Sequence, residues 1–175
     1  MKSVERISFL TYGCKVNQFD TDRIVSSLSS NFTITNDNNL SDMCIINTCT
    51  VTNNSDAQIV SDIRRLKKNN PNCKILVTGC LAQTNPESLE LIQEVDFIVD
   101  NANKYLIPKV LSSPIIKKKI ISDIFDIEKF DDFKINQKEQ RSRAFLSVQD
   151  GCNFRCSFCI IPFARGKSRS MEVDS

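Results

Sequence analysis

Lys74-Ile75-Leu76-Val77-Thr78-Gly79-Cys80 is the stretch on which the fold turns. Its apolar and β-branched residues run without alternation from Ile75 to Thr78, and Gly79 ends them. A strand with one wet face alternates polar and apolar residues. A continuous run is the mark of a strand buried on both faces, as in a parallel sheet covered by helices. Upstream, Met43-Cys44-Ile45-Ile46-Asn47 repeats the pattern. Between the two runs, Ile59, Ile63 and Leu66 recur at helical spacing over 55–68, and Pro71 stops them.

The same alternation extends in both directions. Arg6-Ile7-Ser8-Phe9-Leu10-Thr11 reads as a strand ended by Gly13. A helix is expected from about Asp20, with Ile24, Val25 and Leu28 on one face, followed by a short strand at Phe32-Thr33-Ile34-Thr35. Downstream come a helix over 86–93 with Pro86 in its first turn, where proline is tolerated, a strand at Phe97-Ile98-Val99 and a helix over 104–111. Strands alternating with helices imply βαβ units. The expected fold class is α/β: a five-stranded, flavodoxin-like parallel sheet in the order 2-1-3-4-5.

After Lys117-Lys118-Lys119 the pattern weakens into an acidic and aromatic stretch containing Phe125, Phe130 and Phe133. Residues 1–124 are read as the first domain and 125–140 as a linker whose phenylalanines pack on something. Residues 141–175 are read as the start of a second unit, opened by a strand over 144–149. No window approaches the roughly 18 consecutive apolar residues of a membrane span. The amino terminus lacks a signal-peptide pattern, so a soluble, cytoplasmic protein without membrane partners is expected. With 23 basic and 21 acidic residues the net charge is only +2, and no global field argues for nucleic acid.

Eight cysteines and no histidine confine any metal site to thiolate, carboxylate or exogenous ligands. Thiolates favour zinc, copper(I) or iron–sulfur. Cys14, Cys49 and Cys80 each follow a strand and precede a helix. In the expected order those strands are neighbours, spanning about 10 Å at the carboxyl edge where ligands of such sheets gather. Free cysteine is also among the most buried residue types, so spacing alone leaves a shared metal site and ordinary packing both open here. Packing suits Cys44, within a strand, and Cys73, just before one.

Cys152-Asn153-Phe154-Arg155-Cys156-Ser157-Phe158-Cys159 is more specific. Three thiolates within eight residues can hold three irons of a [4Fe–4S] cube and leave the fourth open. Bacterial ferredoxins supply a fourth cysteine before a proline. Here Ile160-Ile161-Pro162 follows instead. Structural zinc normally takes four protein ligands, and a disulfide would leave an odd thiol.

This second motif resembles the signature of radical S-adenosylmethionine enzymes. The whole chain resembles the amino-terminal part of the methylthiotransferases through five ordered blocks. These are Tyr12-Gly13-Cys14-Lys15-Val16-Asn17-Gln18, Asn47-Thr48-Cys49-Thr50-Val51-Thr52, Val77-Thr78-Gly79-Cys80, Gln149-Asp150-Gly151-Cys152, and Cys159-Ile160-Ile161-Pro162-Phe163-Ala164-Arg165-Gly166. The resemblance implies two [4Fe–4S] clusters. Cys14, Cys49 and Cys80 would ligate an auxiliary cluster. Cys152, Cys156 and Cys159 would ligate the cluster that binds and cleaves S-adenosylmethionine, with Phe158 against the adenine. It also implies that the second unit begins a partial (β/α) radical-SAM barrel.

The first and last blocks look most like the branch acting on threonylcarbamoyladenosine in tRNA. The implied reaction adds a methylthio group to carbon 2 of the adenine beside the anticodon, a C–H bond beyond acid–base chemistry. Implied partners are tRNA and an electron donor such as flavodoxin or ferredoxin. Arg165 and Lys167 are candidate phosphate contacts beside this site. Arg64, Arg65, Lys67 and Lys68 are better read as cations complementing a helix carboxyl end. The chain ends at Ser175, and residues 1–175 alone are expected to be inactive. Alternatives are an isopentenyladenosine or ribosomal-protein methylthiotransferase, or an iron–sulfur carrier without catalysis.

Overall fold

A computed structural model describes residues 4–50, 53–112, 118–130 and 145–172. Six parallel strands form the main sheet: β1 (Arg6–Thr11), β2 (Thr33–Ile34), β3 (Met43–Thr48), β4 (Lys74–Gly79), β5 (Phe97–Val99) and β6 (Lys119–Ile120). Their order is β2-β1-β3-β4-β5-β6, so the expected 2-1-3-4-5 arrangement is present with one strand added. The sixth strand lay hidden in the basic run. It has only two residues, too few to show a period, and Lys119 there pairs with Glu90 at 2.9 Å.

The apolar runs divide between two layers, as a doubly covered sheet requires. Within β3, Cys44 and Ile46 face the core containing Ile59, Ile63 and Leu66 of α2 (Asn53–Asn69). Met43 and Ile45 face the opposite core, with Ile24 and Leu28 of α1 (Lys15–Leu28) and Ile107 and Leu111. Every residue of β3 is buried. Cys44 and Cys73 are fully buried packing residues, as expected.

α1 begins five residues before the expected start near Asp20, because its first turns bury polar side chains. Asn17, Asp20 and Thr21 are its inward residues there, and an apolar periodicity cannot register them. The helix expected over 86–93 is present as the shorter α4 (Pro86–Glu90), and a further short helix, α3 (Cys80–Thr84), precedes it directly after β4. Asn85 separates them, its side chain accepting from the Ser88 amide at 3.2 Å, a good N-cap. The expected helix over 104–111 is a 3-10 turn (Lys104–Leu106) leading into α5 (Ile107–Leu111).

The stretch expected to open a second unit holds little regular structure among the described residues. The strand expected over 144–149 contracts to β7 (Gln149–Asp150), paired antiparallel with β8 (Arg169–Ser170). Ala144 lies outside the described residues. Over 145–148 the backbone forms no strand, although the Met171 amide donates to the Val148 carbonyl at 2.9 Å. α6 (Ile161–Arg165) packs against α3. Phe125, placed in the linker, meets the Phe163 ring edge-on at 6.1 Å, and Arg155 lies 5.5 Å above its centroid. Most of the linker, 131–140, and Phe133 with it, falls outside the described residues.

Candidate cysteine-cluster site

Register places Thr11, Asn47 and Thr78 side by side at the carboxyl ends of β1, β3 and β4. Cys14, Cys49 and Cys80 follow them and therefore share one edge of the sheet. Cys49 and Cys80 are buried and Cys14 is exposed as the residue capping α1. Gly13 has φ +97°, and a Cβ on it would stand 2.6 Å from the Cys49 Sγ. Glycine there lets the first loop pass directly over the second thiol. Gly79 has φ +98°, and a Cβ on it would stand 2.6 Å from the Thr48 amide nitrogen, so β4 turns into α3 hard against β3.

Asn17 knits these loops together. Its Nδ2 donates to the Tyr12 carbonyl at 2.9 Å and to the Thr48 carbonyl at 2.8 Å. Its Oδ1 lies 3.8 Å from the Cys80 Sγ. From the other side Asn101 Nδ2 approaches the same sulfur at 3.6 Å, while its buried Oδ1 has no hydrogen-bond partner among the described residues. Burial raises the Cys80 thiol above its ordinary value, opposed by the charges of Arg165 and Lys104 and by the Asn101 contact. Cys44 in the core has mainly burial acting on it and is pushed up to about 12.

Among the described residues, no three cysteine or carboxylate side chains gather tightly enough to hold a single metal ion. A [4Fe–4S] cube makes a different demand, because each thiolate binds its own iron. Three soft donors on adjacent loops, with a glycine leaving room at Cys49, fit that demand in chemistry and in placement.

Cys152, Cys156 and Cys159 lie on the loop between β7 and α6, Cys156 exposed and the others half-buried. The loop is pinned at its ends. The Cys152 amide donates to the Gly166 carbonyl at 3.0 Å, Asn153 Oδ1 accepts from the Ser168 amide at 2.9 Å, and the Cys159 amide closes a turn on the Cys156 carbonyl at 3.0 Å. Phe158 is 91% exposed and touches no part of the core. Three cysteines on a tethered surface loop, none of them buried, fit a cluster held by three thiolates and capped from outside.

The structure corrects the reading of Arg165 as a phosphate contact. Its side chain is only 5% exposed. It donates to Asn17 Oδ1 at 2.7 Å, Asp20 Oδ2 at 2.9 Å and Asp150 Oδ1 at 3.1 Å. Asp20 also pairs with Lys104 at 2.7 Å, and Asp150 with the buried Arg169 at 3.3 Å. Burial works against the Asp150 carboxylate, yet Lys104, Arg165 and Arg169 together hold it below the ordinary carboxylate range. Asn101 reaches across as well, donating to the Ala164 carbonyl at 2.8 Å. Lys167 is exposed and stays open to solvent partners. Sequence reasoning missed Asn17, Asp20, Asn101 and Lys104. The available signal was a polar inward face on α1, beside Cys14.

The two cysteine loops thus meet at one end of one sheet, tied by Arg165 and Asn101. The model of the Uncharacterized protein family UPF0004 matches residues 6–100, more than half of the chain. The chain belongs to this family. The UPF0004 region carries Cys14, Cys49 and Cys80, while the second trio follows it. The chain is 36% identical over 97% of its length to the threonylcarbamoyladenosine tRNA methylthiotransferase MtaB of Aquifex aeolicus, covering 42% of that protein. It is 37% identical over 99% of its length to MtaB of Rickettsia prowazekii, covering 39% of it. A tRNA-2-methylthio-N(6)-dimethylallyladenosine synthase of Dictyoglomus thermophilum is 31% identical over 94% of the chain, again with 39% of that protein covered. The chain therefore spans about two fifths of the length of these curated relatives. Among the described residues no helix is long and apolar enough to cross a membrane.

Proposed function

We propose that this chain is the cluster-bearing amino-terminal part of a tRNA methylthiotransferase of the radical S-adenosylmethionine class, acting on threonylcarbamoyl-modified adenosine. One observation carries the reading. Asn101 contacts both the Cys80 sulfur and the backbone of α6, so the loops bearing the two cysteine trios are held side by side. A carrier protein needs no such juxtaposition. An enzyme that generates a radical at one centre and delivers sulfur from another onto one carbon does need it.

Cys14, Cys49 and Cys80 would hold the auxiliary cluster, and Cys152, Cys156 and Cys159 the cluster that takes S-adenosylmethionine. Bound there, the two clusters would supply reductive cleavage of S-adenosylmethionine and the sulfur to be methylated and transferred. The chain's own part is placement. Gly13 and Gly79 keep the loops of the first trio close, and the Arg165 clasp fixes the second loop against them. Phe158, exposed on that second loop, offers a flat apolar face for the adenine of the cofactor. Identity to MtaB proteins slightly above that to the dimethylallyladenosine enzyme supports the threonylcarbamoyl substrate.

Anaerobic reconstitution and iron counting test the site, with about eight irons per chain expected for two [4Fe–4S] clusters. Addition of S-adenosylmethionine should perturb the visible spectrum, and Cys156→Ala should abolish that response. Iron content unchanged on replacing Cys152, Cys156 and Cys159 would refute the metal assignment. Mass spectrometry of tRNA nucleosides from cells lacking and then regaining the complete protein decides the substrate.

A further inference from the structure

Among the described residues, the buried clasp is electrically unbalanced. Lys104, Asp20, Arg165, Asp150 and Arg169 form an alternating chain in which three cations face two carboxylates. Four of these side chains are at most 14% exposed and Asp150 is 23% exposed. A buried ion network built for stability alone would balance, because an uncompensated charge held out of water is strongly unfavourable. The surplus cation therefore needs an anion nearby that the clasp itself does not contain.

The position of Arg165 shows where that anion belongs. Its Nη2 and the Cys80 Sγ both contact one atom, the Oδ1 of Asn17. Its other nitrogen faces Asp150, at the foot of the second cysteine loop. Among the described residues, Cys49 and Cys80 are the anion-forming groups on the Asn17 side, and both are buried. We propose that Arg165 is a positioning residue for the first trio, holding the clasp's surplus positive charge against Cys80 and so setting the reduction potential of a cluster bound there. This rests on the metal reading of Cys14, Cys49 and Cys80. A fixed cation close to a cluster favours its reduced form and raises its potential, and low-dielectric surroundings strengthen the effect. The same guanidinium reaches the second loop, so any shift of that loop away from Arg165 would be felt at the first trio as a change in potential.

The experiment uses the chain with Cys152, Cys156 and Cys159 replaced by Ala, reconstituted anaerobically so that about four irons remain, and titrated spectroelectrochemically. Arg165→Gln is expected to move the midpoint to more negative potential. Arg165→Lys, which keeps the charge and loses the planar fork, is expected to stay near the parent. Lys104→Gln removes a neighbouring charge without touching Asn17, and a smaller negative shift is expected. It keeps the test alive if Arg165→Gln does not fold. Equal midpoints in the parent, Arg165→Gln and Lys104→Gln would overturn the proposal. So would an Arg165→Lys variant as displaced as Arg165→Gln, which would mark a purely structural role. Failure of the parent chain to take up iron would instead strike the metal reading beneath it, a distinct result visible before any titration.

Discussion

Replacing Asp20 with Asn asks how firmly the second cysteine loop is fastened to the sheet. Asp20 Oδ2 accepts from Arg165 at 2.9 Å and from Lys104 at 2.7 Å, and the side chain is 5% exposed. The substituted asparagine would be nearly the same shape and would leave two buried cations facing a neutral amide. Breaking one side of a buried ion pair typically costs about 3–5 kcal/mol, most of it the stranded charge. In a domain of this size each kcal/mol moves the melting temperature by about 2–4 °C, so a drop of roughly 6–20 °C is expected. Thermal unfolding followed by circular dichroism measures that drop, and urea denaturation measures the free-energy loss, with the midpoint falling and the slope unchanged. Lys104→Gln supplies the partner for a double-mutant cycle. If the two residues act through one network, the double variant should lose less than the two single losses combined. An Asp20→Asn protein within about 1 kcal/mol of the parent would refute the clasp as an energetic unit, since that is the loss expected of an ordinary substitution.

Two further outcomes follow from the same architecture. Gly79→Ala should destabilise the chain by more than the 1–3 kcal/mol or so of a residue forced into sparsely populated backbone space, because φ there is +98° and the new Cβ meets the Thr48 backbone; a stability equal to the parent in the same urea assay would contradict the turn. Asp96 accepts from the Ile75 amide, Lys67 and Lys74, each at 2.9 Å, and although burial acts to raise its carboxyl, these donors hold it below the ordinary value. A depressed pKa gives stability that is present above the unfolded value of about 3.9 and lost as pH falls through the folded value. The gap in urea midpoint between the parent and Asp96→Asn should therefore be widest near neutrality and shrink in acid, and a gap independent of pH would contradict it.

The sheet was legible because its central strands are buried on both faces. β3 and β4 have no solvent side to interrupt their apolar runs, and Gly13, Gly79 and Pro71 mark where neighbouring elements stop. β6 was not legible, since two residues beside a lysine run carry no period. The cysteine trios were legible as spacing and as strand-end placement. The clasp was not, because hydrophobic periodicity is blind to polar side chains turned inward: Asn17 stood ahead of the expected helix start and Asp20 at it, with no inward role visible for either. Arg165 misled for the same reason. An arginine beside glycine and lysine looks solvated until Asp20, far away in the chain, is found against it. Arg64, Arg65 and Lys68 are exposed at the carboxyl end of α2, as the reading of a helix-end cation set expects, with Arg65 on Asp62 at 2.6 Å, while Lys67 is half-buried against Asp96.

The bond between Asp20 and Arg165 spans 145 positions. During synthesis α1 is therefore complete long before its guanidinium partner leaves the ribosome. At about 5–20 residues per second the delay is roughly 7–30 s. Within that interval Asp20 can recruit Lys104 once it has been made but not Arg165, and the strand ends bearing Cys14, Cys49 and Cys80 stand uncovered as each appears. Closure by α6 must wait for another 85 residues after Cys80, and whatever must be delivered to the first trio has roughly 4–17 s to arrive by an open path.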